Sequence, residues 1–220
     1  MKIIELHQSV TASNDRDAQM LRAELKEKGL LLINLMSAPG SGKTTLLSRT
    51  ITDLKGRLKI AVLEADIDSA VDAETIEKLG AVSVQVHTDG MCHMDAGMTR
   101  EGLEGMDLSE TDLAFLENIG NLICPAEYDT GAARNVMILS VPEGDDKPLK
   151  YPLIFEKADL VLVNKIDAME VFDFDPDRFA GYVKELNAKA DVIPVSAETG
   201  EGFGAAAEWV GNAASEWLRG

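Results

Sequence analysis

The sequence predicts an α/β fold, a mostly parallel central sheet with helices on both faces. Three observations predict it. Apolar runs of strand length alternate with segments of helical periodicity. The first run, Leu30-Leu31-Leu32-Ile33-Asn34-Leu35-Met36, leads straight into the turn Ser37-Ala38-Pro39-Gly40-Ser41-Gly42-Lys43-Thr44. The residues richest in chemistry stand at strand ends, where open parallel sheets bind their ligands.

Each element has its own signal. Ser13 reads as an N-cap for a helix over 14–28, with Gly29 as its stop. Ala18, Leu21 and Leu25 fall on one face of that helix, which either covers a sheet edge or docks a partner. Strands are expected over 30–36, 59–65, 81–87, 112–117, 135–141, 160–164 and 192–195. Helices are expected after the Gly-rich turn and over 71–79, 94–105, 179–189 and 203–218. Trp209 and Trp217, two turns apart in the last helix, are expected in the core. No repeat, low-complexity stretch or long linker interrupts the chain. The expectation is a single domain over 1–220, with 1–29 as a helical extension.

Composition narrows the function classes. With 220 residues, 45% hydrophobic and 27% charged, the chain is long enough to bury a sizeable core. It has no apolar run of membrane-spanning length, and its N-terminus lacks an apolar signal core, so a cytoplasmic protein is expected. The formal net charge of −17 opposes generic binding to nucleic acid or anionic lipid. Two Cys in a nucleotide-binding chain suit a reducing compartment, where thiols serve metals or catalysis.

The turn at 37–44 is a phosphate-binding loop, which makes the expected fold that of a P-loop NTPase. Gly40 and Gly42 let backbone N–H groups, with those of Ser41 and Thr45 beside them, turn inward on an anion. Lys43 can reach the β- and γ-phosphates, and the Thr44 hydroxyl can hold Mg²⁺. The following helix points its positive end at the phosphates. The full pattern wants Gly at position 37; the chain has Ser there, and Pro39-Gly40 supplies the sharp turn instead.

The base is read further on. Asn164-Lys165-Ile166-Asp167 follows a buried-type strand and matches the Asn-Lys-x-Asp pattern of GTP-binding proteins. The Asp167 carboxylate can accept from N1 and the exocyclic amine of guanine; adenine offers neither hydrogen and would leave the charge unpaired. The Lys165 stem can lie along the base, and Asn164 can tie this loop to the phosphate loop. Ser196-Ala197 ends the next strand like the last guanine loop of G proteins, in which an N–H near Ala197 contacts the guanine carbonyl.

Two acidic strand ends can serve Mg²⁺ and the γ-phosphate: Glu64-Ala65-Asp66, with Asp68 beyond, and Glu117-Asn118-Ile119-Gly120. Asp66 and Glu117 are the expected pair, acting with Lys43 in catalysis, and the Gly120 N–H is the expected γ-phosphate sensor. No Gln follows Gly120 to orient water and no Arg is placed as a finger, so slow hydrolysis is expected.

A second site is built on sulfur and imidazole. Cys92-His93 precedes a helix whose N-terminus would favour thiolate, and Cys124 lies four residues beyond Gly120. These three offer at most three ligands to Ni²⁺ or Zn²⁺. Water, or a second copy across a twofold axis, would complete the set, which points to a metal site at a dimer interface. Hydrolysis would then move one ligand. His7 and His87 are weaker candidates, Met91 is a marginal one, and Met94 and Met98 read as core packing.

Together, residues 37–44, Cys92-His93-Met94-Asp95, the Glu117-to-Pro125 stretch, the Glu143-to-Pro152 stretch and Asn164-Lys165-Ile166-Asp167 resemble the HypB family of nickel-incorporating hydrogenase GTPases, of the SIMIBI class of P-loop GTPases, over nearly the whole chain. The Cys-His and Glu-Asn-x-Gly-Asn…Cys-Pro elements are specific to that group. The resemblance implies slow hydrolysis of GTP to GDP, and Ni²⁺ or Zn²⁺ held at a GTP-favoured homodimer interface. It further implies nickel delivery, with a HypA-like metallochaperone, to the large-subunit precursor of NiFe hydrogenase. Some members carry a Cys-rich N-terminal nickel motif and others a His-rich store. Residues 1–29 hold no Cys and the chain has three His, so neither is expected. The urease nickel-delivery GTPases differ by a Cys-Pro-His motif. A P-loop small-molecule kinase would leave Asn164-Lys165-Ile166-Asp167 and both thiols without a role.

Overall fold

The computed structural model describes residues 7–66, 76 and 78–219. Helix α1 (His7–Glu27) is followed by β1 (Leu31–Ser37), α2 (Lys43–Leu54), β2 (Ile60–Asp66) and β3 (Val82–His87). Next come α3 (Ala96–Glu104), β4 (Leu113–Glu117), α4 (Cys124–Glu127) and β5 (Arg134–Ser140). The short helices α5 (Lys147–Lys150) and α6 (Pro152–Lys157) precede β6 (Leu160–Asn164), α7 (Pro176–Leu186), β7 (Asp191–Pro194) and α8 (Phe203–Arg219). The sheet runs β3-β2-β4-β1-β5-β6-β7, and every pairing in it is parallel. β1 sits at its centre and all of its residues are buried, as a parallel strand covered on both faces requires.

The period of two along β1 sorts the cores. Leu31, Ile33 and Leu35 pack with Leu47, Ile51 and Leu54 of α2 and Phe203 and Val210 of α8. On the other face Leu30 and Leu32 pack with Leu21 and Leu25 of α1 and Leu103 of α3. Further along that face Met36 packs with Phe155 of α6 and Phe179 and Val183 of α7. All strand C-termini therefore emerge on one rim. Among the described residues no helix is long and apolar enough to cross a membrane.

Several expected boundaries move. Helix α1 begins at His7, so Ser13 lies inside it and not at its cap. Ala18, Leu21 and Leu25 are buried, as the apolar spacing required. The helix expected over 71–79 lies outside the described residues except at 76, 78 and 79. Helix α7 starts three residues earlier than expected, because the Asp175 carboxylate accepts from the N–H groups of Asp177 and Arg178 and Pro176 occupies the first turn. Trp209 and Trp217 are half-buried at the rim of the core instead of inside it. Each indole N–H needs an acceptor, and these are the Asp191 carboxylate at 2.9 Å and the Leu30 carbonyl at 2.9 Å.

Candidate functional site

The turn after β1 closes as a cradle. Gly40 (φ 74°) and Gly42 (φ 93°) both take the left-handed conformation, so the chain reverses there and not at Ser37, the last residue of β1. A Cβ at Gly42 would stand 2.6 Å from Asn164 Nδ2. Lys43 Nζ donates to Ser37 Oγ at 2.8 Å, so the Ser standing where the pattern wants Gly receives the ammonium. Pro39, Gly40, Gly42, Lys43, Thr44 and Thr45 line one side of a cleft of about 610 Å³; Glu64, Glu117, Asn118, Gly120 and Lys165 close the others. The Ser41 hydroxyl is buried with no hydrogen-bond partner among the described residues, as a group awaiting a ligand is.

Asn164 ties the loops after β6 and β7 to this cradle. Its Nδ2 donates to the Ser41 carbonyl at 2.9 Å, and its Oδ1 accepts from the Ala197 N–H at 3.0 Å. Lys165 lies in the left-handed region (φ 64°) and its Nζ donates to the Gly40 carbonyl at 2.8 Å, which lays the stem across the mouth of the loop. Asp167 stands exposed, held by the Ser196 hydroxyl donating to Oδ1 at 2.5 Å. Ser196 thus orients the carboxylate from behind, and the Ala197 N–H is taken by Asn164.

At the phosphate end, Thr44 Oγ1 donates to Glu117 Oε1 at 3.0 Å, which joins the first turn of α2 to the end of β4. A Cβ at Gly120 would lie 3.1 Å from Pro39 Cα, so this segment presses directly on the phosphate loop. Asp66 ends β2, but its side chain, like all of Asp68, lies outside the described residues. Glu64 belongs to the acidic strand end expected from the sequence, though not to the expected pair. It is buried, lines the cleft, stands in register with Glu117 on the neighbouring strand and accepts from Ser83 Oγ at 3.0 Å. A carboxylate in the middle of Ile-Ala-Val-Leu-Glu-Ala was the available signal, since an apolar strand seldom buries a charge without a task.

The sulfur and imidazole groups converge. Cys92 Sγ and Cys124 Sγ are 2.7 Å apart as free thiols, and Cys92 Sγ is 3.8 Å from His93 Nδ1. Donor atoms of all three residues lie within 4.8 Å of one another. His93 is buried and stacked on Tyr128 at 3.8 Å, and its Nε2 has no hydrogen-bond partner among the described residues. Burial pushes the His93 pKa below its ordinary value, against the pull of Asp95 and Glu127, and so keeps the ring neutral and able to ligate. The hydrogen bond from Cys92 pushes the Cys124 thiol up, with burial adding to it. One expectation fails here. Helix α3 begins at Ala96 and its N-terminus is capped by Asp95, which accepts from the Met98 N–H, so Cys92 does not sit on a helix N-terminus. His87 is exposed at the end of β3, outside the cluster, and the His7 side chain lies outside the described residues. Met94 and Met98 pack in the core as expected.

A buried amide chain links the two sites. Asn118 Nδ2 donates to Asn34 Oδ1, Asn34 Nδ2 donates to Asn135 Oδ1, and Asn118 Oδ1 accepts from the Met94 N–H at 3.2 Å. Sequence reasoning read Asn118 only as part of a motif, because nothing local shows which strands will carry its partners.

Comparison with known proteins gives this geometry a lineage. A model of the CobW/HypB/UreG nucleotide-binding domain matches residues 31–194. The hydrogenase maturation factor HypB of Azotobacter vinelandii is 44% identical over 209 residues, covering 95% of this chain and 69% of that protein. A probable hydrogenase maturation factor HypB of Methanocaldococcus jannaschii is 37% identical over 97% of both chains. Among solved structures, HypB from Helicobacter pylori in complex with nickel superimposes with a TM-score of 0.88 at 34% identity, over 94% of this chain and 98% of that one. With a phosphate loop, a guanine-type loop and a Cys-Cys-His cluster on one sheet rim, the chain belongs to the HypB group of the CobW/HypB/UreG family.

Proposed function

We propose that this chain is a GTPase whose nucleotide state controls the binding of nickel for hydrogenase maturation. One observation carries the reading. Residues 117–124 connect both sites, with Glu117 bonded to Thr44 at the phosphate end and Cys124 against Cys92 at the other. The comparison with HypB of Helicobacter pylori, crystallised in complex with nickel, supports the choice of metal.

The residues account for the steps. Asp167, oriented by Ser196, accepts from the guanine N1–H and amine, and the Lys165 stem covers the base. Phosphate oxygens meet the N–H groups of 40–45, and Lys43 exchanges Ser37 Oγ for the β- and γ-oxygens. The Thr44 hydroxyl and the Glu117 carboxylate, bonded to each other, would hold Mg²⁺ directly or through water, and the ion would supply positive charge to the phosphate end of the site. Asp66 is proposed to join this pair. Water attacks the γ-phosphorus, the bond from that phosphorus to the β–γ bridging oxygen breaks, and GDP and phosphate leave. Without a water-orienting Gln or an Arg finger the turnover is slow, well under about one per second. Loss of the γ-phosphate frees the Gly120 N–H, and the segment ending at Cys124 relaxes.

Two thiolates and a neutral imidazole suit Ni²⁺ or Zn²⁺ as cargo, with a ring nitrogen of His93 and both sulfurs as the donors on hand. Three ligands leave the set open, so water or a second copy of the chain completes it; the homodimer is favoured by GTP. Transfer proceeds with a HypA-like metallochaperone to the hydrogenase large-subunit precursor. Phosphate release tests the reading. Turnover of GTP and not ATP, and loss of Ni²⁺ binding in Cys92→Ala, are expected; ATP turnover with an acceptor molecule would make the chain a kinase instead.

A further inference from the structure

We propose that Asn14 of helix α1 is a positioning residue of the metal site, keeping the two ligand-bearing arms near enough for one ion to reach both sulfurs. This rests on the reading of Cys92, His93 and Cys124 as the metal ligands. The arms come from different parts of the chain: Cys92-His93 follows β3, and Cys124 follows β4. At the sheet rim Asn118 Oδ1 accepts from the Met94 N–H at 3.2 Å, and further along both arms lie beyond the strand ends. Asn14 is buried, and both ends of its amide are used. Its Oδ1 accepts from the Ala96 N–H at 3.0 Å, three residues past His93. Its Nδ2 donates to the Asp129 carbonyl at 2.9 Å, five residues past Cys124 and beside Tyr128, the ring stacked on His93. One side chain thus grips the backbone of both arms.

The rest of α1 braces that grip. Arg22 donates from Nε to the Ala132 carbonyl at 2.8 Å, and its NH2 group reaches both Asp129 oxygens at 2.6 and 2.8 Å. Glu24 pairs with Arg100 of α3 at 2.5 and 3.0 Å. Helix α1 therefore does more than cover the face of the sheet, rather than the edge considered from the sequence, with Ala18, Leu21 and Leu25. Its polar side is bonded to the Cys124 arm at Asp129 and Ala132, and to the Cys92 arm at Ala96 and Arg100. One ion would bind both sulfurs only if each could come within about 2.3 Å of it. A small splay of the arms therefore leaves one thiolate behind, and side chains that orient ligands commonly matter by ten- to a hundredfold in metal affinity.

The test uses the full chain with Ni²⁺ and, as a spectroscopic probe, Co²⁺. Asn14→Ala should weaken Ni²⁺ binding by about tenfold or more and reduce the thiolate-to-metal charge-transfer band per bound ion. Its affinity for GDP should match that of wild type, since Asn14 does not line the nucleotide cleft. Asn14→Asp keeps the acceptor for Ala96 and loses the donor to Asp129. It should release the Cys124 arm alone, so that adding Cys124→Ser to it changes the band little. Unchanged Ni²⁺ affinity and band in both Asn14 variants, with Cys92→Ser abolishing them, would overturn the role of Asn14 and leave the metal site standing. A band that survives Cys92→Ser would overturn the metal site and, with it, this proposal. If Asn14→Ala fails to bind GDP and so has not folded, Asn14→Asp alone decides.

Discussion

Asp167 shows how much one side chain was legible and how much was not. The proposal that it faces guanine rests on hydrogen-bond chemistry and on four residues of sequence. That Ser196 holds it at 2.5 Å, and that Asn164 spends its amide on Ser41 and Ala197, depends on three loops meeting, which no local pattern displays. Asn14 and Asn118 escaped for the same reason: an Asn reads as a cap or turn residue until its partners, 82 and 24 residues away, are known. The residue-scale prediction is sharp. Asp167→Asn replaces one of two charged acceptors with a donor facing the guanine hydrogens, and should lower GDP affinity about ten- to a hundredfold. Calorimetric titration should show this together with a gain for xanthosine diphosphate, whose base offers a carbonyl where guanine has the amine. Equal GDP affinity in the variant would place the base elsewhere.

At the scale of elements, the strands were the most legible because each run is short and ends in polar residues, and the central ones, β1, β4 and β6, are buried throughout. Helix ends were less so. Ser13 carries the residue type of an N-cap yet sits mid-helix, whereas the true cap of α7 is Asp175, ahead of Pro176. The short helices α4, α5 and α6 give too few residues to show a period. Packing is close where α3 crosses β2 and β3. A methyl at Gly102 would overlap the Leu63 side chain and meet Val86 Cγ2 at 2.8 Å. Gly102→Ala gains helix propensity but overpacks this contact, a net cost of about 1–3 kcal/mol. Thermal melting of the variant should fall by several degrees; a rise would mean that Leu63 can move aside freely.

For the whole molecule, the parallel order of the sheet gathers every functional loop on one rim, and so brings a sulfur site within one short segment of a phosphate site. The chain as a whole carries a net charge of −17. It repels a nucleotide triphosphate at long range, while Lys43 and Lys165 attract it only at contact. Screening should therefore speed association. Stopped-flow rates for a fluorescent GTP analogue should rise between about 10 and 150 mM salt, as the Debye length shrinks from roughly 30 to 8 Å. A rate that falls with salt would show that the local lysines outweigh the global field.

The central claim is that the terminal phosphate and the metal are felt by one segment, 117–124. Its most direct test is the Ni²⁺ dissociation constant of the wild-type chain, measured with a non-hydrolysable GTP analogue and again with GDP. The account predicts that the two constants differ by about tenfold or more, a coupling of roughly 1.4 kcal/mol, and that the difference vanishes in Cys124→Ala. Identical constants in the two nucleotide states would contradict it.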